Sequence, residues 1–142
     1  MTNDLPHHIG WQLWQASRNW TAIFVARLQE AGFPGITFAL ANVLGHLDRS
    51  TGVRQIQLAE RAGLTKQAVG QFLDESEKLG LIERVSDPED GRAHLVRYTR
   101  RGQKFLKAAD KIKAEIEVEY AEKIGKRNLA KLKKLIDGLN QD

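Results

Sequence analysis

The hydrophobic pattern divides the chain into helix-length pieces separated by glycine and proline. The first piece runs from about Pro6 to Ala31, and its apolar residues form two neighbouring stripes at helical spacing. So wide an apolar arc predicts a helix that packs on two sides. After a break at residues 32–35, a second helix is predicted from Thr37 to about Leu47. The stripes of the first helix are Leu13, Ala16, Trp20 and Phe24, and Trp14, Thr21, Val25 and Leu28; the inward residues of the second are Leu40, Val43, Leu44 and Leu47.

The centre of the chain has the order of a helix-turn-helix. Residues 55–62 predict a short third helix, Gly63 supplies the positive φ of a tight turn, and Thr65 supplies the N-cap of a fourth helix. That helix is predicted to reach about Leu79 and to stop at Gly80. Its 3.6-residue period separates an inward from an outward face. Val69, Phe72, Leu73, Ser76 and Leu79 point inward, and Lys66, Gln67, Gly70, Gln71, Asp74 and Lys78 point outward.

Two strands and two further helices complete the pattern. Residues 81–86 and 93–98 are rich in β-branched and aromatic side chains, and the connection between them, residues 87–92, contains the hairpin turn signal Asp90-Gly91. Thr99 can cap a long fifth helix that ends at Gly125. The last helix carries a dimer-type seam of Leu129, Leu132, Ile136 and Leu139. The predicted fold is mainly α with a small β-hairpin wing (α+β), in the order of a winged helix-turn-helix with flanking helices.

Composition narrows the class of protein. A length of 142 residues and a mass of 16.0 kDa match one domain, and the absence of cysteine excludes disulfides and thiolate metal sites. The four histidines lack metal-ligand spacing, and we find no catalytic motif, so we expect neither enzyme activity, nor a metal, nor a cofactor. No signal-peptide pattern and no apolar run of the ~20 residues that a membrane span needs are present, which predicts a cytoplasmic protein without a membrane partner.

The net charge of +4 gives little support for a nucleic-acid partner, because of where the charge lies. Residues 54–99 carry seven basic and eight acidic side chains, whereas residues 100–142 carry twelve basic and seven acidic side chains. The basic tail is expected to be a solvated helix face. A nucleic-acid function must therefore be argued from individual positions.

The start of the fourth helix has the chemistry of DNA recognition. Gln67 and Gln71 lie one turn apart, and glutamine can pair bidentately with adenine. Lys66 can reach phosphate or guanine, and the free N–H groups near Thr65 favour a phosphate oxygen. Gly70 removes a side chain between the glutamines, which permits close approach to a groove wall. A merely solvated polar face is the competing interpretation, but the preceding turn and the following hairpin favour recognition.

Arg92 lies just beyond the tip of the predicted hairpin. Its planar, always-charged guanidinium suits a narrow minor groove, and Asp90 can hold it through a fork-like pair. An incidental surface pair is the alternative. Arg97 and His94 fit a DNA contact and a solvent-facing strand equally well.

Together these segments resemble the MarR family of bacterial transcriptional regulators. The resemblance rests on LAERAGLTKQAV (58–69), LGLIER (79–84) and DPEDGRA (87–93), and it continues through LVRYTRRG (95–102). The Asp-x-Arg-Ala wing tip followed by Thr-x-x-Gly is fairly specific to this family among winged helices. The flanking helices match in order and length.

The resemblance implies a homodimer in which residues 1–34 and 100–142 of a single domain form the dimerisation helices. Residues 35–99 are then a DNA-binding lobe, with the helix from Thr65 to Leu79 in a major groove and Arg92 in a minor groove. The implied target is a near-palindromic double-stranded DNA operator with half-sites about one helical turn apart. Many members are repressors released by a small phenolic or aromatic carboxylate ligand that binds between the dimerisation helices and the lobe.

Three residues depart from the family pattern. Gln71 and Gly91 stand where arginine is frequent, which predicts a shallower salt dependence of DNA binding. Ser76 stands on the inward face, where an apolar residue is usual, and the sequence offers no role for it.

Two interpretations remain open. Trp14 or Trp20, with His46 of the second helix, can line an aromatic ligand pocket, although packing at the dimer interface is the simpler role of the tryptophans. The alternative function is a protein-interaction module on a degenerate winged helix with weak or no specific DNA binding. The acidic residues Asp74, Glu75 and Glu77 motivate that alternative.

Overall fold

The computed structural model describes residues 7–142 and contains six helices and three strands in that range. The helices are α1 (Ile9–Glu30), α2 (Phe38–Leu44), α3 (Gln55–Ala62), α4 (Lys66–Lys78), α5 (Arg100–Ile124) and α6 (Lys126–Asn140). The strands are β1 (Val53–Arg54), β2 (Ile82–Ser86) and β3 (His94–Tyr98). The predicted start of the first helix at Pro6 lies outside the described residues; α1 begins after His8, whose side chain accepts a hydrogen bond from the Trp11 N–H.

The winged helix-turn-helix predicted from the sequence is confirmed. The strands β2 and β3 form the antiparallel hairpin, and β1 pairs with the other side of β3 to give the order β1-β3-β2. The sequence did not predict β1, because two residues are too short to show a strand period. β1 pairs Val53 with Val96 and runs directly into α3, so the sheet fixes where the helix-turn-helix begins.

The turn between α3 and α4 forms as its residues predict. Gly63 ends α3 at a φ of 66°, in the left-handed region that favours glycine. The Thr65 hydroxyl accepts a hydrogen bond from the Ala68 N–H at 3.1 Å and caps α4. Val69 and Leu73 on the inward face of α4 are fully buried, so the helix is held against the core with its opposite face free.

Ser76 lies on the same inward face and is also fully buried. Its hydroxyl donates a hydrogen bond of 2.8 Å to the carbonyl of Phe72 in the preceding turn. Since its own helix satisfies the hydroxyl, the serine fits the core without a ligand or a partner.

The wing connection spans residues 87–93, one residue more than the predicted 87–92. Its base is closed by a hydrogen bond of 3.0 Å from the Asp87 N–H to the carbonyl of Ala93. The Asp90 side chain accepts from the Arg92 N–H, and the Asp90 carbonyl accepts from the Ala93 N–H. These bonds build the turn without a positive φ at Gly91, and the predicted hairpin is confirmed with its Asp90-Gly91 signal inside the turn.

The start of α5 is packed tightly against the end of α4. Thr99 caps α5 by accepting from the Gly102 N–H, and its hydroxyl donates to the carbonyl of Gly80. Gly102 lies so close to the Leu81 carbonyl that an added Cβ would stand 2.0 Å from the oxygen. The Thr-x-x-Gly pattern therefore marks the contact that joins the lobe to the long helix.

The flanking helices leave apolar surface uncovered, and α1 does not pack on two sides within one chain. In α1 only Phe24 and Leu28 are buried, and Trp14 is 51% exposed. No residue of α6 is buried, and Leu139 of its predicted seam is 66% exposed. The second apolar side of α1 and the seam of α6 are thus free to pack against another surface.

We expect Gly102→Ala to lower the free energy of unfolding by more than about 2 kcal/mol, because the new methyl group would overlap the Leu81 carbonyl. The matched control is Gly138→Ala in α6, where no atom lies within 4 Å of the added Cβ. Alanine there should raise stability by up to ~1 kcal/mol. Urea unfolding at one fixed chain concentration measures both changes, and equal stability of the two variants would contradict the packing described for α5.

Candidate nucleic-acid interface

The first two turns of α4 present the side chains that the sequence singled out. Lys66, Gln67 and Gln71 are exposed, and the capped N-terminus at Thr65 leaves helix-start N–H groups directed outward. Gly70 is half-buried beside the Gln55 side chain, which would lie 3.6 Å from an added Cβ. Gly70 thus borders α3 rather than standing open between the two glutamines.

Arg92 is exposed on the wing connection, but Asp90 does not hold its guanidinium. The Asp90 carboxylate instead accepts from the backbone N–H of Arg92 at 3.1 Å. The carboxylate is engaged in shaping the turn, so the predicted fork-like pair does not form. Within residues 7–142 the Arg92 guanidinium makes no ion pair.

An ion pair that the sequence analysis missed anchors the base of the wing. Asp87 is 6% exposed, and one carboxylate oxygen accepts from Arg54 Nε at 2.9 Å and lies 2.8 Å from Arg54 Nη2. The other oxygen accepts from the Glu89 N–H at 2.9 Å. The Glu89 N–H and the Arg54 guanidinium hold the pKa of Asp87 below its usual range. One side chain therefore shapes the wing connection and ties it to β1.

A second missed arginine joins the wing sheet to α4. Arg84 on β2 donates to the Asp74 carboxylate at 2.8 Å and to the carbonyl of Gly70 at 3.1 Å. Its Nε lies 3.1 Å from the Glu77 carboxylate without the geometry of a hydrogen bond. These partners lie 7, 10 and 14 residues before Arg84 in a different element, so no local spacing in the sequence indicates this cluster.

Arg97 and His94, for which the sequence left two roles open, both lie on β3. Arg97 on β3 donates to Glu83 on β2 at 2.6 Å, and the two residues are direct partners in the antiparallel register. His94 is exposed at the start of β3. Arg97 thus has a cross-strand partner within the sheet.

A cavity of about 300 Å³ lies where α1, α2 and α5 meet. Trp20 and His46, which the sequence proposed for a ligand pocket, both line it. Trp14 does not; its ring lies 5.0 Å from that of Trp11 in the exposed half of α1, with the Arg18 guanidinium over it. The structure therefore brings together two of the three proposed residues.

The cavity combines aromatic walls with a small number of polar groups. Trp20 stacks on Phe24 at a centroid distance of 5.0 Å, and Lys113 Nζ lies 5.6 Å from the Phe24 ring. Arg49 also lines the cavity, but its guanidinium forms a two-pronged pair with Asp110, and this pair lowers the pKa of that carboxyl. Tyr98 also lines the cavity, and its hydroxyl donates to the carbonyl of Leu44 at 2.6 Å. Burial raises the pKa of this hydroxyl. Asn42, His46 and Lys113 remain as the polar side chains available to a bound molecule.

Within residues 7–142, no group of three histidine or carboxylate side chains is arranged to hold a metal ion. No helix in the same range is both long enough and apolar enough to cross a membrane.

Comparison with known proteins supports the resemblance found in the sequence. Residues 35–93 match the model of the MarR family. The transcriptional regulator HosA of Escherichia coli O111:H- is 32% identical over 87 residues, which is 61% of this chain and 64% of that protein. The match thus spans somewhat less than two thirds of the curated relative.

Two solved structures extend the likeness to the flanking helices. The transcriptional repressor CouR, bound to a 23-mer DNA duplex, is 25% identical with a TM-score of 0.81, over 99% of this chain and 98% of that one. A probable transcriptional regulator from Pseudomonas aeruginosa is 26% identical with a TM-score of 0.72, over 93% and 96%. The family resemblance and the fold class are therefore confirmed.

We expect the Asp87 contacts to stabilise the fold in a pH-dependent way. Because the pKa of Asp87 is lower in the folded state than the ordinary ~3.9, its contribution is complete above that value and is lost as the pH falls through the lower folded pKa. Asp87→Asn should therefore lower the free energy of unfolding most at pH 6 and progressively less below about pH 4.

Urea unfolding of both proteins between pH 6 and pH 3 measures this difference. Asp137→Asn on α6 is the control, since Asp137 is exposed and forms no ion pair within the described residues. A stability difference between wild type and Asp87→Asn that stays constant with pH would contradict the account of the wing base.

Proposed function

Since its winged-helix segment matches the MarR family, we propose that this chain is a sequence-specific DNA-binding transcriptional regulator. It acts as a homodimeric repressor on a near-palindromic operator and is released by a small aromatic ligand. It works by binding in the cytoplasm, where bacterial operator DNA lies, and not by catalysis. Residues 35–99 are the DNA-binding lobe, and residues 1–34 and 100–142 are the dimerisation helices.

The distribution of paired and unpaired cations in the lobe carries this proposal. Five arginines of the lobe lie in ion pairs with nearby carboxylates: Arg49, Arg54, Arg61, Arg84 and Arg97. The lobe's other basic side chains, Lys66, Lys78 and Arg92, form no ion pair within residues 7–142. All three lie on α4 or on the wing, the two elements that enter the grooves in a winged helix. The free positive charge of the lobe is thus concentrated where DNA would bind.

The alternative of a protein-interaction module loses its main support. It rested on the acidic residues Asp74, Glu75 and Glu77 of α4. The Arg84 guanidinium lies within 2.8 Å of the Asp74 carboxylate and 3.1 Å of the Glu77 carboxylate. Two of the three negative charges are therefore neutralised within the chain, and the surface of α4 is not an acidic docking face.

The dimer is supported by apolar surface on the flanking helices. A groove between α5 and α6 is lined by Val118, Ala121 and Leu129 among others, and Val118 is 59% exposed. The exposed half of α1 carries Ile9 and Trp14, which are 62% and 51% exposed. Large exposed apolar side chains on neighbouring helices mark an association surface. A second copy of the chain is the occupant that we propose.

The cavity between α1, α2 and α5 is the proposed ligand site. Its volume of about 300 Å³ is at the lower end of the range for small-molecule pockets. Trp20 and Phe24 offer flat faces to an aromatic ring, and Lys113 offers a cation to a carboxylate. The site touches both the flanking helices and α2 of the lobe, so a ligand there can change the angle between them.

We expect DNA selected from a random library, or the DNA upstream of the protein's own gene, to bind ~10³-fold more tightly than a scrambled duplex at physiological salt. Arg92→Ala should weaken binding to every sequence, because the wing contact is electrostatic. Gln67→Ala or Gln71→Ala should cost about 1–3 kcal/mol at particular base pairs only. Fluorescence anisotropy measures these affinities, with two chains expected for each duplex.

Arg127→Ala is the matched control for the loss of one positive charge, because Arg127 is exposed on α6, away from α4 and the wing. Its DNA affinity should stay within about threefold of wild type. Equal and weak binding of wild type to selected and scrambled duplexes would contradict the proposed function.

We expect phenolic or aromatic carboxylate compounds to quench tryptophan fluorescence by contact with Trp20. A compound that quenches the wild-type chain should also give saturable quenching in Trp14→Phe. The quenching should be mostly lost in Trp20→Phe. The compound should also weaken DNA binding by the wild-type chain. Saturable quenching that survives Trp20→Phe and disappears in Trp14→Phe would place the ligand outside the cavity.

A further inference from the structure

The cluster around Arg84 has no place in the DNA contacts proposed above. Arg84 stands on β2, three residues before Asp87 at the wing base, and its polar contacts all lie on α4. It is therefore the side chain that connects the wing sheet to the recognition helix.

We propose that Arg84 is a positioning residue for DNA recognition. It neutralises the carboxylates of Asp74 and Glu77 on the DNA-facing helix, and it holds that helix and the wing as one unit. This inference rests on the proposed DNA-binding function.

The electrostatic part follows from the composition of α4. The helix carries two basic and three acidic side chains, so by itself it would present a net negative charge to a polyanion. Asp74 lies one turn beyond Gln71 on the outward face and is 62% exposed. Like charges at such a surface weaken association with DNA phosphates. The charge of Arg84 brings the total for the helix and its partner to zero.

The positioning part follows from the geometry of the guanidinium. One Arg84 nitrogen donates to Asp74 and another donates to the Gly70 carbonyl, four residues earlier on the same helix. A planar fork that engages two successive turns restricts both sliding and rotation of the helix against β2. The Arg84 side chain is 24% exposed, so these contacts are less screened by solvent than those of a free surface pair.

The test compares four variants with the wild-type chain on a duplex selected by the wild-type protein. Arg84→Met should weaken binding at least tenfold. Adding Asp74→Asn and Glu77→Gln to Arg84→Met should recover at least half of that loss on a logarithmic scale, because the two carboxylates that Arg84 neutralises are then absent. The pair Asp74→Asn and Glu77→Gln alone should bind at least as tightly as wild type. Arg127→Met on α6 controls for net charge and should bind within about threefold of wild type.

Unchanged affinity of Arg84→Met would overturn the proposal, and so would a loss that the two neutral substitutions do not relieve. Arg84→Lys separates the two parts, since lysine keeps the charge and lacks the fork. We expect its affinity to lie between those of wild type and Arg84→Met. It also serves as the test variant if Arg84→Met does not fold, and affinity equal to wild type would then overturn the positioning role.

Amide hydrogen exchange of the free protein keeps this inference separate from the proposed function. Arg84→Met should exchange faster than wild type in residues 82–98 and in α4, with little change in the buried part of α5. Failure of wild type to select any duplex would refute the proposed function. Unchanged amide exchange in Arg84→Met would by itself refute the positioning role of Arg84.

Discussion

Ion pairs between arginines and carboxylates hold the winged-helix lobe together and determine which of its charges remain free. A lobe with nearly equal numbers of basic and acidic side chains has no global attraction for DNA. Five of its six arginines lie in ion pairs, and these pairs fasten one element to another, as Arg54 does with Asp87 and Arg84 with Asp74. Arg84 neutralises Asp74 and Glu77 on α4, and Lys66 and Arg92 form no ion pair within residues 7–142 at the two places where grooves would be read. Pairing thus both builds the lobe and sorts its charge.

The fold was largely predictable because its signals are local. Gly63 and Thr65 define the turn and the cap of the helix-turn-helix within three residues, and both take the predicted roles. The two-residue strand β1 was not predictable, since it exists only through its pairing with β3. The wing hairpin was predictable from Asp90-Gly91, but the sequence did not show that the Asp90 side chain and carbonyl close the turn without a positive φ at Gly91.

The candidate site was predictable only in part, because its local signals are visible in the sequence and its contacts between distant residues are not. The exposed face of α4 follows from helical periodicity, and Arg92 follows from its position at the wing. The charged partners of Arg84 lie 7 and 10 residues away and Arg54 lies 33 residues from Asp87, and only the packed structure brings them together. The cavity is a similar case, because Trp20 comes from α1, His46 from the turn after α2 and Lys113 from α5. A pattern along one chain also does not reveal what covers the exposed half of α1.

Hydroxyl-radical footprinting of the wild-type chain on its selected duplex shows whether α4 and the wing read the DNA. We expect two protected blocks about one helical turn, or ~10 base pairs, apart, each flanked by a protected stretch of minor groove that disappears in Arg92→Ala. Two such blocks would show that a dimer places one recognition helix and one wing on each half-site. Uniform protection along the duplex, or a pattern that Arg92→Ala leaves unchanged, would contradict the assignment of α4 and the wing as the DNA-reading surface.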